Sequence, residues 1–373
     1  MSSTHATRPL RALLTVACFA AANGTAAAAE LADTLTRPAT IVARPEHAVL
    51  LGISAAGDRL VVVGERGVLA VSDDQARHWR QIPVPLSVSL TALTFATPKA
   101  GWAVGHRGVI LGSVDGGERW HLQLDGQQFA QRALKQARTA LAASGPGTME
   151  QATRDVKDAE ALVRDGADKP FLDVSFADER HGLAVGAYGL CAQTDDGGAS
   201  WDPCMARLPN PKGAHLYAIT RSGSTIYIAG EQGLLLRSDD AGAQFASVPG
   251  PYTTSLFCAA TERNGDIVLA GLRGSAFAST NGAPHFEGLP SESEGSCSGS
   301  AQLADGRLVF VNQLGQLLAY DARSRRLVLV PTPPMAPLSG VLQNRSGALV
   351  VVGARGVTSI PASSLATAGG VRP

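Results

Sequence analysis

The sequence has no excess of charge of either sign. Its 373 residues include 32 Lys and Arg against 32 Asp and Glu, so the formal net charge at pH 7 is zero. Proteins that bind nucleic acid generally carry a clear basic excess, and this balance argues against such a role. Hydrophobic residues make up 45% of the chain and charged residues 17%, which is typical of a folded globular protein.

Long hydrophobic runs are missing after the N-terminal region. The run "ALLTVACFAAA" follows Arg8 and Arg11 and is too short to remain as a bilayer-spanning anchor. With Ala27-Ala28-Ala29 behind it, the run predicts a signal peptide over residues 1–29, cleaved near Ala29. Lipid modification at Cys18 is the alternative, which the preceding "TVA" disfavours. We expect a periplasmic protein without an integral membrane span, and rank secretion or a thylakoid-lumen-like destination second.

Cysteine is also scarce, and no CxxC pair or Cys/His cluster occurs, so we expect no metal site and no cofactor. Cleavage leaves four cysteines, Cys191, Cys204, Cys258 and Cys297, which allow three pairings. The turn "DDGG" at 195–198 would place Cys191 opposite Cys204 on a hairpin, so we favour that disulfide. Free buried thiols are the alternative.

Glycine, in contrast, is abundant, and much of it belongs to a repeat. The stretches "VGERGVLAVSDDQARHW" at 63–79 and "VGHRGVILGSVDGGERW" at 104–120 are two of seven aligned copies. Five of the six intervals between successive copies lie within three residues of 41. The second residues of the copies are Gly64, Gly105, Gly186, Gly230, Gly271, Asn312 and Gly353.

Each copy has the alternating apolar pattern and turn residues of four short strands. A period of about 40 residues with four strands per unit is the signature of a β-propeller blade. The sequence therefore predicts an all-β, seven-bladed propeller over residues 30–373. Because the last copy ends after three strands, we expect residues 37–45 to close the ring as the outer strand of the last blade.

The one irregular interval is 81 residues, between Gly105 and Gly186. Its extra residues, 125–169, have apolar positions at helical spacing on both sides of "GPGT". They predict a helical hairpin inserted between blades 2 and 3. Insertions in repeat arrays often lie on a functional face. The alternative is an insertion that has no functional role.

The second half of each copy reads S/T-x-D-x-G-x-x-W, which resembles the Asp-box, or BNR repeat, of sialidases and other propellers. We interpret its residues as structural, because they recur in blade after blade, whereas a catalytic site needs one unique constellation. The two complete boxes are Ser113, Asp115, Gly117 and Trp120, and Thr194, Asp196, Gly198 and Trp201.

No catalytic motif stands out, so we expect no catalytic residues. The sequence has no G-x-S-x-G, H-E-x-x-H or Walker A pattern. Its five tyrosines lack the arginine and carboxylate context of a sialidase nucleophile. A carbohydrate-binding or glycosidase propeller is nevertheless the alternative function, and a purely structural envelope protein is a further one.

The first half of each copy carries the candidate binding residues. Four copies read G-x-R-G, which places Arg66, Arg107, Arg273 and Arg355 at equivalent turns. In a closed ring, Arg355, Arg66 and Arg107 would lie on consecutive blades and form a basic arc suited to carboxylates or anionic head groups. We add His106, which lies in the same turn as Arg107. Solvated turns that merely tolerate arginine are the alternative.

The repeated "VG.RG.i..S.DGG..W" unit after an export signal resembles the photosystem II stability/assembly factor-like family, over nearly the whole mature chain except the insertion. The resemblance implies a seven-bladed propeller whose arginine patch contacts a partner protein. In phototrophs the family assists photosystem II assembly, and relatives in non-photosynthetic bacteria are often encoded near RND-type exporters. The third, fourth and sixth copies depart from the arginine pattern, with Tyr188, Gln232 and Leu314.

We therefore expect a monomeric, non-enzymatic, exported scaffold that binds a protein partner, either a membrane complex or its subunits. The non-photosynthetic branch of the family is favoured, because the helical insertion argues against a photosystem role.

Overall fold

The chain is described by a computed structural model covering residues 33–280 and 285–367. The predicted signal peptide, residues 1–29, lies outside the described residues. Within the described ranges, 27 strands form seven separate antiparallel sheets. Each sheet is one blade, and its strands are hydrogen-bonded in chain order. The all-β, seven-bladed architecture is thereby confirmed.

The strands of the first four blades follow the predicted repeats. Blade 1 comprises β1 (Leu50–Ala56), β2 (Arg59–Gly64), β3 (Leu69–Ser72) and β4 (Arg80–Gln81). Blade 2 comprises β5 (Leu90–Phe95), β6 (Gly101–Gly105), β7 (Ile110–Ser113) and β8 (His121–Leu124). Blade 3 comprises β9 (Phe171–Phe176), β10 (Gly182–Gly186), β11 (Cys191–Thr194) and β12 (Asp202–Pro203). Blade 4 comprises β13 (Leu216–Ser222), β14 (Thr225–Gly230), β15 (Leu235–Ser238) and β16 (Ala246–Ser247).

The last three blades include the incomplete one. Blade 5 comprises β17 (Leu256–Thr261), β18 (Ile267–Gly271), β19 (Ala276–Ser279) and β20 (Phe286–Gly288). Blade 6 comprises β21 (Cys297–Gln302), β22 (Leu308–Asn312), β23 (Leu317–Asp321) and β24 (Arg326–Leu329). Blade 7 has three strands, β25 (Leu338–Gln343), β26 (Leu349–Gly353) and β27 (Gly356–Ile360).

The first strand of each blade contacts the first strand of the next, and β25 contacts β1. The seven sheets therefore close into a ring, with the first strands innermost. The second strands are buried along almost their whole length, as in β6 and β26, because neighbouring blades cover both faces of each sheet. This double burial explains why the second strands read as continuous runs of small and apolar residues.

Residues 37–45 do not form the expected fourth strand of the last blade, and this expectation is wrong. Pro38 and Pro45 have no N–H to donate to a ladder. The segment lies instead against blade 1, where the Gln81 side chain bonds the backbone oxygen of Thr40 at 3.1 Å and the backbone amide of Val42 at 2.8 Å.

The ring closes by side-chain packing between the last and first blades. Val352 of blade 7 packs with Leu50 and Val62 of blade 1 in a shared buried cluster. Gly356, at the start of β27, lies against the backbone oxygen of Glu46. The ring therefore closes without a strand from the N-terminal segment in the sheet of blade 7.

The insertion forms two antiparallel helices, α1 (Gly126–Ala142) and α2 (Met149–Asp165). The Asp125 side chain caps α1 by accepting from the Gln128 amide. Phe129 is buried against Phe171 of blade 3, with ring centroids 5.6 Å apart. Arg132 donates to the backbone oxygen of Trp201 at 2.8 Å. The hairpin is thus anchored to blade 3. A third short helix, α3 (Ser363–Thr367), follows β27.

Two disulfides cross-link the described blades. Cys191 and Cys204 form a disulfide within blade 3, across the hairpin predicted from the "DDGG" turn. Cys258 of β17 and Cys297 of β21 form the other, which joins the innermost strands of blades 5 and 6. Of the three possible pairings, the structure has the one that pairs neighbouring cysteines along the chain.

Candidate partner-binding end of the propeller

Antiparallel order within each blade decides which turns share an end of the ring. The turn between the second and third strands lies at one end, together with the connection from the fourth strand to the next blade. The other two turns of the blade lie at the opposite end. Because Arg66, Arg107, Arg273 and Arg355 lie between second and third strands, they share one end, which we call the arginine end.

In the first five blades this turn has the same backbone geometry. One residue per turn adopts the left-handed conformation, and these residues are Arg66, Arg107, Tyr188, Gln232 and Arg273, with φ between 53° and 62°. In blade 1 the Gly64 amide donates to the backbone oxygen of Val68 at 2.8 Å, and the Glu65 amide donates to that of Val49 at 3.1 Å. Each turn is therefore a fixed platform for one side chain.

In the first five blades, the glycine before the turn is required by a close approach. A Cβ built on Gly105 would collide with the backbone oxygen of Ser89, and one on Gly186 would collide with that of Pro170. The repeated glycine of the sequence pattern therefore permits the first strand to pack against the turn. It does not point to a phosphate-binding loop.

Arg355 lies in a shorter turn than the other arginines. Gly353 pairs directly with Gly356, which leaves only Ala354 and Arg355 in the connection. Arg355 is exposed and is not among the residues with positive φ. It shares the arginine end with Arg66, but on a different backbone.

The predicted basic arc is partly neutralised within the chain. Arg66 and Arg355 are exposed, as is Arg273 on blade 5. Arg107 donates from Nη2 to the Asp33 carboxylate at 3.2 Å, while its Nε is buried without a hydrogen-bond partner among the described residues. His106, next to Arg107, is exposed, and its amide donates to the backbone oxygen of Ser89 at 2.9 Å.

The helical hairpin stands at the same end as Arg107. Its first residue, Gly126, lies against the backbone oxygen of Arg107, and a Cβ on Gly108 would collide with Gly126. The insertion therefore borders the basic arc on the side of blade 3.

The Asp-boxes lie at the opposite end, in the turns between third and fourth strands. The Ser113 hydroxyl donates to the Asp115 carboxylate at 3.0 Å and accepts from the Gly117 amide at 3.0 Å. Asp115 also accepts from the amide and the guanidinium of Arg119. These bonds lower the pKa of Asp115 even though its partial burial raises it.

The box of blade 3 repeats this geometry. The Thr194 hydroxyl donates to Asp196 at 2.9 Å and accepts from the Gly198 amide at 2.9 Å. Hydrogen bonds from the hydroxyl and amide of Ser200 lower the pKa of Asp196 to about 2. A carboxylate held ionised by its own turn is poorly suited to proton transfer near neutral pH.

The tryptophans of the two boxes are buried between blades. Trp120 donates from Nε1 to the backbone oxygen of Gly117 at 3.1 Å and packs edge-on against Phe95. Trp201 is fully buried and donates to the Gln123 side chain of blade 2 at 3.1 Å. These contacts tie the two boxes of blades 2 and 3 into the packing between blades.

A row of aromatic side chains at the arginine end was not predicted as a site. Tyr188 lies 4.8 Å from His215, His215 6.0 Å from Tyr217, and Tyr217 4.9 Å from Phe257, measured between ring centroids. In the sequence, Tyr188 alone indicated this site, because it aligns with the turn arginines. His215 and Tyr217 precede the repeated stretch of their copy. We call these four residues the aromatic row.

Other candidate features lie elsewhere. A cavity of about 660 Å³ at the opposite end is lined by Arg263, Arg307 and Arg323, balanced by Glu262, Asp305 and Asp321. Burial raises the pKa of Asp173 to about 6, although its carboxylate accepts hydrogen bonds from the amides of Ile219 and Val174. The bond from Ile219 links blade 4 to blade 3. The part of the chain that the structure describes has no cluster of His, Cys, Asp and Glu suited to a metal ion.

Comparison with known proteins identifies related chains. A family model described as "Photosynthesis system II assembly factor YCF48" matches residues 47–137 and 156–324, more than half of the chain. The gap between the matched ranges falls within the helical hairpin. Among the described helices, none has the length and apolar character needed to cross a bilayer.

Two curated relatives each match a short stretch of the chain. The photosystem II assembly lipoprotein Ycf48 of Synechococcus sp. (strain CC9902) is 44% identical over 71 residues, which is 19% of this chain and 21% of the relative. The protein of the same name from Parasynechococcus marenigrum (strain WH8102) is 39% identical over 64 residues, 17% of this chain and 19% of the relative. The match thus spans about a fifth of each relative.

Solved structures share the fold at low sequence identity. YCF48 bound to D1 peptide has a TM-score of 0.59 at 13% identity and covers 86% of this chain and 97% of that one. YCF48 from Cyanidioschyzon merolae has a TM-score of 0.59 at 15% identity with the same coverage. The WD40 propeller domain of Doa1 has a TM-score of 0.58 at 12% identity, covering 87% and 95%. At these identities the likeness shows the fold alone.

Proposed function

The chain belongs to the photosynthesis system II assembly factor YCF48 family, and on that premise we propose that it is a non-catalytic scaffold that binds a protein partner at the arginine end. The partner is a membrane complex or one of its subunits. It presents one or more carboxylates to Arg66, Arg355 and Arg107. In a host without photosystem II, we propose a subunit of an RND-type exporter as the partner to test first.

One observation carries this proposal. Within the described residues, no ion pair is formed by Arg66, Arg273 or Arg355, all of which share one end. At the opposite end, Arg119 pairs with Asp115 and Arg307 with Asp305, each at 2.8 Å, whereas Arg77 and Arg323 form no ion pair with the described residues. On a chain with zero net charge, the arginine end therefore presents three exposed, unpaired guanidinium groups at the repeated turn between second and third strands, where a partner's carboxylates would be held.

The comparisons support a protein segment as the ligand. One structure with the same fold is a YCF48 protein bound to a D1 peptide. The left-handed turns fix the backbone at Arg66 and Arg107 before binding, which lowers the ordering cost of a complex. Arginine is also suited to planar recognition of carboxylates.

The glycosidase alternative is disfavoured by the tyrosines of the described residues. A nucleophilic tyrosine needs a lowered pKa or a base that takes its proton. Tyr217 lies near the Glu231 carboxylate, but burial and that carboxylate both raise its pKa. Burial also raises the pKa of Tyr227 and Tyr320.

We further propose that the mature chain is exported to the periplasm. The two curated relatives are named lipoproteins, and two disulfides suit an oxidising compartment. Export is tested by fractionating the host and determining the N-terminal residue of the protein.

Photo-crosslinking at two matched positions tests the binding end. Leu314 is 59% exposed at the arginine end, and Val114 is 73% exposed at the opposite end. With p-benzoylphenylalanine at position 314, irradiation of host envelopes should give a discrete adduct with a membrane protein. The variant R66E/R355E should reduce the adduct about tenfold or more, because charge-assisted hydrogen bonds are lost.

The control variant is R77E/R323E, which makes the same charge change at exposed turns of the opposite end. It should retain the adduct from position 314. Equal adducts from position 114, or an adduct that survives R66E/R355E, would contradict the proposed binding end.

A further inference from the structure

The aromatic row joins an exposed turn to the innermost strands. Tyr188 belongs to the turn of blade 3, His215 and Tyr217 to the start of blade 4, and Phe257 to the first strand of blade 5. Tyr188 is 62% exposed, whereas the other three side chains are half-buried. The row therefore offers a continuous series of aromatic rings that starts at the exposed turn of blade 3 and reaches the innermost strand of blade 5.

Tyr188 is held in place from both sides. Its backbone has the left-handed conformation of the turn, with φ of 56°. The Lys169 ammonium lies 5.4 Å from its ring centroid and is itself fixed by Asp165 at 2.8 Å and Asp168 at 2.9 Å. On the other side lies the His215 ring. An exposed aromatic ring fixed in this way loses little freedom when it binds a partner.

Exposed apolar side chains are concentrated at the same end. Among the described residues with large exposed apolar side chains, four lie there, on the connections of blades 3 to 6. These four residues are Tyr188, Tyr252, Leu272 and Leu314, exposed by 62%, 40%, 37% and 59%.

The arginine end is therefore divided. The unpaired arginines of blades 7 and 1 lie on one side, and the exposed apolar side chains of blades 3 to 6 lie on the other, with Arg273 among them. A ligand that fits both sides carries a carboxylate and a large apolar side chain on one segment.

We propose that the aromatic row is a second binding subsite, which takes an aromatic side chain of an acidic, extended segment of the partner while the arginines bind its carboxylate. The inference rests on the proposed function. Aromatic rings pair well in the tilted and edge-on arrangements that the row already shows internally. The row thereby selects among carboxylate-bearing segments that the arginines alone would not distinguish.

Labelled peptides test the subsite. The probes are short Gly/Ser peptides that end in Asp with a free carboxylate and carry a single Phe, which is moved one position at a time. Fluorescence anisotropy should show a gain in affinity of about tenfold at one or two adjacent Phe positions, the size expected for burial of one aromatic side chain. Tyr188→Ser should remove that gain and leave the binding of the Phe-free peptide unchanged.

Matched variants separate the two subsites. Tyr188→Phe should retain the gain, and Val114→Ser, at the opposite end, should have no effect. Arg66→Gln with Arg355→Gln should weaken all peptides while preserving the relative gain from Phe. If carboxylate-dependent binding persists but Phe gives no gain at any position, the aromatic subsite is overturned and the proposed function stands. If no peptide binds the wild-type protein, both are contradicted.

Discussion

The Asp33 carboxylate neutralises one arginine of the arginine end from within the chain. Asp33 lies just before the propeller and accepts a hydrogen bond from Arg107 at 3.2 Å. The backbone oxygen of its neighbour Thr34 accepts a hydrogen bond from the Ser87 amide at 2.8 Å. This bond holds the segment over the connection between blades 1 and 2. Asp33 therefore occupies Arg107 with the same chemical group that we propose for the partner.

We predict that Asp33→Asn strengthens binding of the Asp-terminated peptide by about two- to fivefold. The reason is that a half-exposed ion pair of modest strength no longer competes for Arg107. Isothermal titration calorimetry measures the change. The control is Asp239→Asn, which removes a carboxylate from the pair with Arg237 at the opposite end. Weaker or unchanged binding by the Asp33 variant would show that Arg107 is not part of the binding surface.

Residues that repeat were predictable, and residues that occur once were not. Arg66 and Arg273 were found because seven copies align on one turn. Asp33 belongs to no repeat, and its pairing with Arg107 depends on the path of residues 33–44 over blade 1. The aromatic row had only one member, Tyr188, at a repeated position.

Among the elements, the helical hairpin is the one that departs from the repeat. Phe129 inserts between blades 2 and 3, in a cluster with Trp102, Phe171 and Trp201. The distal residues of the hairpin are mostly exposed, including Met149 at its tip. The base of the hairpin is therefore part of the propeller core, while its tip is free to contact a partner.

Phe129→Ala is expected to lower the free energy of unfolding by about 3–5 kcal/mol, because it removes a fully buried ring and leaves a cavity between two blades. Met149→Ala, at a 51% exposed position, should change it by less than about 0.5 kcal/mol. Urea denaturation followed by tryptophan fluorescence compares the two. A small effect at Phe129 would mean that the hairpin is not coupled to the ring.

Strands inside a repeat were easier to predict than the strand at its end. The second strands are recognisable in the sequence as unbroken runs of small and apolar residues, such as "GWAVG" and "LVVVG". The closing strand expected at 37–45 had no such copy to align with, and proline spacing and the Gln81 side chain decided its path. Local pattern specifies a blade, whereas closure depends on contacts between distant parts of the chain.

At the scale of the whole ring, the two disulfides constrain the unfolded chain to different extents. They close loops with sequence separations of 13 and 39 residues. Loop-closure entropy rises slowly with length, so the longer loop should stabilise the native state by about 1 kcal/mol more.

The comparison is C258A/C297A against C191A/C204A. We expect both variants to be less stable than the wild type by about 2–4 kcal/mol, with the larger loss for the pair that joins blades 5 and 6. Urea unfolding without reductant gives both values. A larger loss for the Cys191–Cys204 pair would show that packing around these buried sulfurs outweighs chain entropy.

The order of the cysteines also bears on biosynthesis. Each bridge joins a cysteine to the next one in the chain, so neither loop encloses a cysteine of the other. In a polypeptide threaded amino-terminus first into an oxidising compartment, Cys204 meets Cys191 before Cys258 has emerged. Three pairings exist for four thiols, but vectorial emergence presents them two at a time, so that native pairing can proceed without reshuffling by an isomerase.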